Sequence, residues 1–164
     1  FVGDDEFYVV DNPFIESLDP ASVKELFVPG GPASLYVVNY APVHLLAHGV
    51  QRFLFGPWME PYHVTNALLH ALAGLLLVLL LVRSRLGAVA ALLGGLFFIV
   101  HPANVEAVAP VSQLKTTLSA VLALGALLWV RERPLAAALL FAAALLAKAS
   151  ALFALPMAAA FLWS

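Results

Sequence analysis

The run 64-VTNALLHALAGLLLVLLLV-82 decides the fold, and the rest of the chain is read outward from it. It holds no charged residue, and its length approaches the ~20 apolar residues that a helix needs to cross a bilayer core. Arg83-Ser84-Arg85 closes it. Four more apolar stretches follow, at 87–100, 116–130, 135–147 and 150–163. They are separated by His101-Pro102, by Arg131-Glu132-Arg133-Pro134 and by Lys148. Runs this short either tilt across a membrane or form buried or re-entrant segments, so residues 64–164 read as about four to five membrane helices. The whole composition agrees: 63% hydrophobic and 11% charged, against about half apolar and a quarter charged in soluble domains. The expectation is an all-α, polytopic membrane protein.

Charge divides the chain near His63. Residues 1–63 carry eight acids (Asp4, Asp5, Glu6, Asp11, Glu16, Asp19, Glu25, Glu60) and two bases, Lys24 and Arg52. Residues 64–164 carry two acids and six bases, with tight pairs at Arg83/Arg85 and Arg131/Arg133. Cytoplasmic loops are enriched in Lys and Arg, which puts both pairs inside. Residues 1–63, the 101–115 loop and the turn at Lys148 then lie on the extracytoplasmic side of a plasma, inner or endoplasmic-reticulum membrane. A net charge of −2 gives no reason to expect nucleic acid. The absence of cysteine excludes disulfides, thiolate metal sites and a cysteine nucleophile. No signal peptide opens the chain. It begins at Phe1 without an initiator Met and stops at Trp163-Ser164 in apolar sequence, which reads as truncation at both ends.

Within the first segment, residues 39–56 have a helical period of another kind. Val43, Leu46, Val50, Phe53 and Leu54 recur at three- to four-residue spacing, while His44, His48, Gln51 and Arg52 take the other face. Beside a membrane such a helix lies in the interface, and Gly56-Pro57 ends it. Pro29-Gly30-Gly31-Pro32 marks a turn.

Three groups of residues could carry chemistry. Asp4-Asp5-Glu6 sets three carboxylates in succession, which repel one another unless solvated or paired. A carboxylate at a membrane surface has the chemistry of a general base toward an acceptor hydroxyl, and an acidic loop with a turn at Asp11-Asn12-Pro13 is the plainer reading. His101 and Glu106 stand five apart in the second outside loop, with Lys115 nine residues beyond Glu106. Ionisable groups at membrane depth are costly and often functional, although His-Pro also simply stops a helix and an interfacial Lys snorkels. His63, Asn66 and His70, at i, i+3 and i+7, share one face of the first apolar helix. Packing against protein suits them better than a metal site, so no metal is expected.

The order of these motifs resembles a known family. Asp4-Asp5-x-x-Tyr8-Val9 with Asn12-Pro13 is followed by Asn39-Tyr40-x-Pro42 and Tyr62-His63-x-x-Asn66-x-x-Leu69-His70. Then come His101-Pro102-x-x-Val105-Glu106-x-Val108-Ala109, Ser112-Gln113-x-Lys115, and Ala147-Lys148 ahead of Leu155-Pro156. Together they are similar to the multispanning tetratricopeptide-repeat glycosyltransferases related to protein O-mannosyltransferases, of GT-C architecture. The resemblance implies an inverting transferase, without cofactor, that moves a sugar from a polyprenyl-phosphate-linked donor to a hydroxyl of a protein or glycan acceptor. It implies that Asp4 or Asp5 activates the acceptor, and that His101, Glu106 and Lys115 lie near the donor. Membrane lipids are the remaining partners. The chain departs from the family pattern at Ala41, Pro110 and Leu114. A transporter or flippase of lipid-linked sugars, or a non-catalytic envelope scaffold, would share the helical layout.

Overall fold

The computed structural model describes residues 5–163, for Trp163 the backbone alone, and among them it is helical throughout with no strand. Short elements build the first third. Glu6–Val10 forms one π-helical turn and Pro13–Ile15 a 3-10 turn, entered through Asn12, whose Oδ1 accepts from the Phe14 amide at 3.0 Å. Helix α1 (Pro20–Leu26) starts on an Asp19 cap, whose Oδ1 accepts from the amides of Ala21 and Ser22 at 2.9 and 3.1 Å. Those amides and the Ser17 and Ser22 hydroxyls hold the Asp19 carboxyl well below the usual carboxylate range, the hydroxyls contributing most. Helix α2 (Pro32–Tyr36) follows a turn in which Gly30 takes φ +70°. Helix α3 (Pro42–Phe55) opens on proline and ends where Gly56 takes φ +59°.

Most of the remaining helices are longer than α1 and α2. In chain order the remaining ones are α4 (Glu60–Arg83), α5 (Ala88–Val100), α6 (Val105–Val108), α7 (Leu114–Trp129), α8 (Pro134–Ala147) and α9 (Ala154–Trp163). Two apolar helices have the length to cross a membrane, Glu60–Arg83 and Val111–Trp129, the latter counting the 3-10 turn ahead of α7. Ala88–Val100 and Pro102–Val108 form a pair bent by 50° at His101-Pro102, either a broken span or a re-entrant loop. Pro134–Ala147 and Ala149–Leu162 are shorter. Each expected break falls between helices: at Ser84-Arg85, at His101, at Arg131-Glu132 and at Lys148, which is extended.

Packing follows small residues. Helix α4 meets α5 at Gly74 and Gly95, where an added Cβ would overlap Ile99 and Val78 respectively. Helix α7 lies between α4 and α8. Helix α4, about 36 Å long at 1.5 Å per residue, separates two polar ends. At one end Arg83 pairs with Glu132 of the α7–α8 turn, and Arg131 bonds the Phe161 carbonyl. At the other, the N-terminal third packs on the start of α4 through Tyr8, Val9, Leu45, Tyr62 and Val111.

Two local expectations are corrected. The chain after Asp5 is a helical turn, not an extended loop, and Asp5 itself has helical angles. The amphipathic helix runs Pro42–Phe55, not 39–56, because Val38 at φ +50° and the Pro42 ring set a later start. Its two faces are sorted as the sequence pattern demands. His44, His48 and Gln51 are buried, whereas Phe53 is 78% and Leu54 62% exposed.

Candidate active site

Asp5 lies at the centre of the polar end. It is 2% exposed, and its Oδ1 accepts from the Ser112 amide at 2.7 Å. That bond ties the first acidic motif to a segment 107 residues away, directly before Lys115. Asp4 lies outside the described residues. A hydrogen bond to a charged acceptor is roughly twice as strong as a neutral one, so Asp5 is built as a clamp. A base as deeply covered as Asp5 presents no open face to an incoming hydroxyl.

Lys115, in the first turn of α7, points its Nζ across the Tyr8 ring, 4.5 Å from the centroid, and donates to Tyr8 Oη at 3.4 Å. Lys148, at the extended break after α8, donates to Thr116 Oγ1 at 2.7 Å. The two half-buried ammonium groups feel each other's charge. Among the described residues neither pairs with a carboxylate. Two cations held by hydroxyls rather than by acids remain available to an anion.

Below them lies a row of rings. The Tyr8 and His44 centroids are 5.0 Å apart, and those of His44 and His48 are 4.5 Å apart, edge to face. Both histidines are fully buried. His48 Nδ1 lies 2.9 Å from Gln51 Oε1, an acceptor, which assigns the ring proton to Nδ1 and leaves Nε2 a bare lone pair. Neither His44 nitrogen has a hydrogen bond of ordinary geometry, nor does His48 Nε2, although the Ser112 backbone lies against His44. Burial, then the neighbouring His48 and Lys115, holds His44 well below its ordinary range. Burial likewise brings His48 down to about 4, against the opposing pull of Gln51 and the Asp5 charge. Both rings are therefore neutral at pH 7.

The α4 stripe works differently. Asn66 Nδ2 donates to the carbonyls of Val108 and Pro110 at 3.3 and 2.9 Å, and so pins the loop ahead of Lys115. His70 Nε2 bonds the Ile99 carbonyl at 3.1 Å. His63 is exposed. His101 caps the Pro102–Asn104 turn and packs its ring on Phe97, and Glu106 is exposed on α6. Among the described residues no hydrogen bond or ion pair joins either of them to Asp5 or Lys115. No group of three or more His, Asp or Glu among the described residues is arranged to hold a metal ion.

The sequence pointed to Asp5 and Lys115 but gave no role to Tyr8, His44 or His48. The i, i+4 spacing of the two histidines on the polar face of α3 is the signal that could have found them. An apolar groove of about 500 Å³ runs from this end between α3, α4 and α7, lined by Leu46, Val50, Leu54, Leu69, Leu114 and Leu118. No family model, curated protein or solved structure matches this chain.

Proposed function

We propose that this chain is part of a membrane glycosyltransferase that moves a sugar from a polyprenyl-phosphate-linked donor to an acceptor hydroxyl, on protein, at the extracytoplasmic face. The observation that carries the reading is the Asp5–Ser112 bond. It ties Asp5, the neighbour in sequence of the candidate base, to the segment that leads into Lys115, the candidate phosphate cation. The groove below Leu114 has the apolar lining that a polyprenyl chain requires. The resemblance to tetratricopeptide-repeat O-mannosyltransferase-like proteins supports the same reading.

In this reading Asp4 is the base and Asp5 its anchor. The acceptor oxygen forms a bond to the anomeric carbon while the carbon–oxygen bond to phosphate breaks. The hydroxyl proton passes to the carboxylate, and the electron pair leaves with the phosphate. Lys115, with Lys148 next to it, stabilises the charge that develops there. One displacement inverts the anomeric centre. The Arg83/Arg85 and Arg131/Arg133 pairs face the cytoplasm, so a cysteine at Ser22 reacts with an impermeant thiol reagent in intact cells and one at Ser84 does not.

The deciding assay uses the full-length protein in membranes with polyprenyl-phosphate mannose as donor. Asp4→Asn lowers transfer by ~10²–10⁴-fold, the usual contribution of a general base, and leaves donor binding intact. Asp5→Asn, which can still accept from Ser112, costs less. Lys115→Met weakens donor binding and turnover together. Parental transfer by all three variants would sink the proposal and move a lipid-linked-sugar transporter or a non-catalytic scaffold ahead.

A further inference from the structure

The buried histidines of α3 have no part in the transfer chemistry, yet His44 touches the residue that holds Lys115, and His48 backs His44. The contacts form a line. His48 packs edge to face on His44, His44 packs on Tyr8, and Tyr8 carries the Lys115 ammonium over its ring and at its hydroxyl. Helix α3 supplies a rigid base for the line, since His44 and His48 are one turn apart and both fully buried. Tyr8 lies on a single short helical turn, its ring buried against α3.

We infer that His44 and His48 are positioning residues that aim Lys115 through Tyr8, so that its ammonium sits where the donor phosphate arrives. The inference rests on the proposed transferase reading only for the identity of the anion. A cation–π contact holds an ammonium over a ring face, but it fixes the cation in space only if the ring is fixed. Tyr8 is fixed from behind by His44. The supporting ring must also carry no charge. Lys115 and Lys148 both act on His44, and a third cation there would repel the group being aimed. A neutral aromatic ring meets both demands. Removing it leaves a cavity beside Tyr8, into which the phenol can turn, and the ammonium turns with it.

The test uses full-length protein whose lysines carry ¹³C-methyl labels, with the Lys115 resonance assigned as the one absent from Lys115→Arg. Methyl groups over an aromatic face are shielded, so Tyr8→Leu shifts this resonance to the position of a free lysine. His44→Ala shifts it the same way, and His44→Phe, which keeps a neutral ring, restores most of the shielding. With polyprenyl-phosphate mannose, His44→Ala raises donor KM about tenfold with a smaller change in kcat, the sign of lost binding rather than lost chemistry, and His44→Phe reverses most of that rise. A Lys115 resonance unmoved in folded His44→Ala overturns the inference, and so does a moved resonance with unchanged donor KM. If the parental protein transfers no sugar, the enzyme reading fails by itself. The relay is then judged by the resonance and by the KD of the parental protein and His44→Ala for the same donor.

Discussion

Helix α3 and the first three turns of α4 each present histidines on a regular stripe, and the fold uses them in opposite ways. On α4 the stripe is a set of pins. Asn66 and His70 reach backbone carbonyls at the bends, His70 that of Ile99 and Asn66 those of Val108 and Pro110. On α3 the stripe makes up the interior. His44 and His48 are packed on rings, and among the described residues three of their ring nitrogens make no hydrogen bond of ordinary geometry. The difference comes from what lies on the far side of each helix. Helix α3 turns Val50, Phe53 and Leu54 outward, so its polar face has only the protein to enter. Helix α4 is apolar on nearly every side, and its few polar groups go where broken backbone needs them. The same residue type at helical spacing thus marks an interior in one helix and a staple in the other.

Acid is the strongest way to break this comparison. A buried histidine held below its ordinary range stays neutral in the folded state while the unfolded chain takes a proton. Its contribution to stability is therefore complete above the unfolded value near 6.5 and is lost as pH falls toward the folded value. For His48 that window runs from 6.5 to about 4, and the loss comes to roughly 3 kcal/mol at 1.36 kcal/mol per unit. His44 adds a loss of the same sign. The groups acting on the pair are Asp5, Gln51, Lys115, Lys148 and the Ser112 backbone, and the Asp5 carboxylate does not reverse the direction. Detergent-solubilised protein should show a falling Tm between pH 7 and pH 4.5, and a His44→Phe/His48→Phe variant should lose much of that slope. Identical slopes would mean that the α3 histidines do not carry the loss of stability in acid.

The pinning role of Asn66 gives the next largest effect. Asn66→Ala removes the side-chain donor from the Val108 carbonyl and leaves Pro110 only the Gln113 amide, at a cost of about 1–3 kcal/mol for a buried group left unsatisfied. Asn66→Asp should be worse, because a carboxylate only accepts and would face two acceptors. Urea unfolding of the two variants orders them, and Asn66→Asp at parental stability would remove the pin. The loop that Asn66 holds leads into Lys115, so the loss should also reach donor binding.

Much of this architecture was legible in residue order, and the reasons are local. The run 64–82, the proline at 102 and the Arg-flanked turns each fix helix limits through backbone chemistry that needs no distant partner. The amphipathic face of α3 was legible in the same way, since a period of 3.6 separates Leu46, Val50 and Phe53 from His44, His48 and Gln51. The polar floor was not. Asp5 meets Ser112 across 107 residues, and Tyr8 meets Lys115 across the same separation. Such pairs are decided by how α4, α7 and the first turn pack together, not by spacing. His101 and Glu106 show the converse. Their neighbourhood in sequence suggested a shared site, but the bend at Pro102 leaves one capping a turn and the other exposed on α6.

The smallest predicted effect separates the two histidines of α4 itself. His70 donates to the Ile99 carbonyl and lays its ring 5.0 Å from that of Phe98, beside the bend that ends α5. His70→Gln can keep a donor near that carbonyl but loses the ring contact, so a loss of about 0.5–1.5 kcal/mol is expected, the usual net value of one hydrogen bond. His63 is exposed, and among the described residues no hydrogen bond is formed by its ring. His63→Gln should therefore stay within about 0.5 kcal/mol of the parent, as surface substitutions do. Transfer per folded molecule should be unchanged in both, because neither ring touches Tyr8, Lys115 or Asp5. The measurement is a pair of denaturant curves beside a donor-transfer assay normalised to folded protein. Equal destabilisation by the two variants would show that the stripe acts as one unit. Purified parental protein that keeps one metal ion per chain, with both variants losing it, would turn the stripe from a staple into a site.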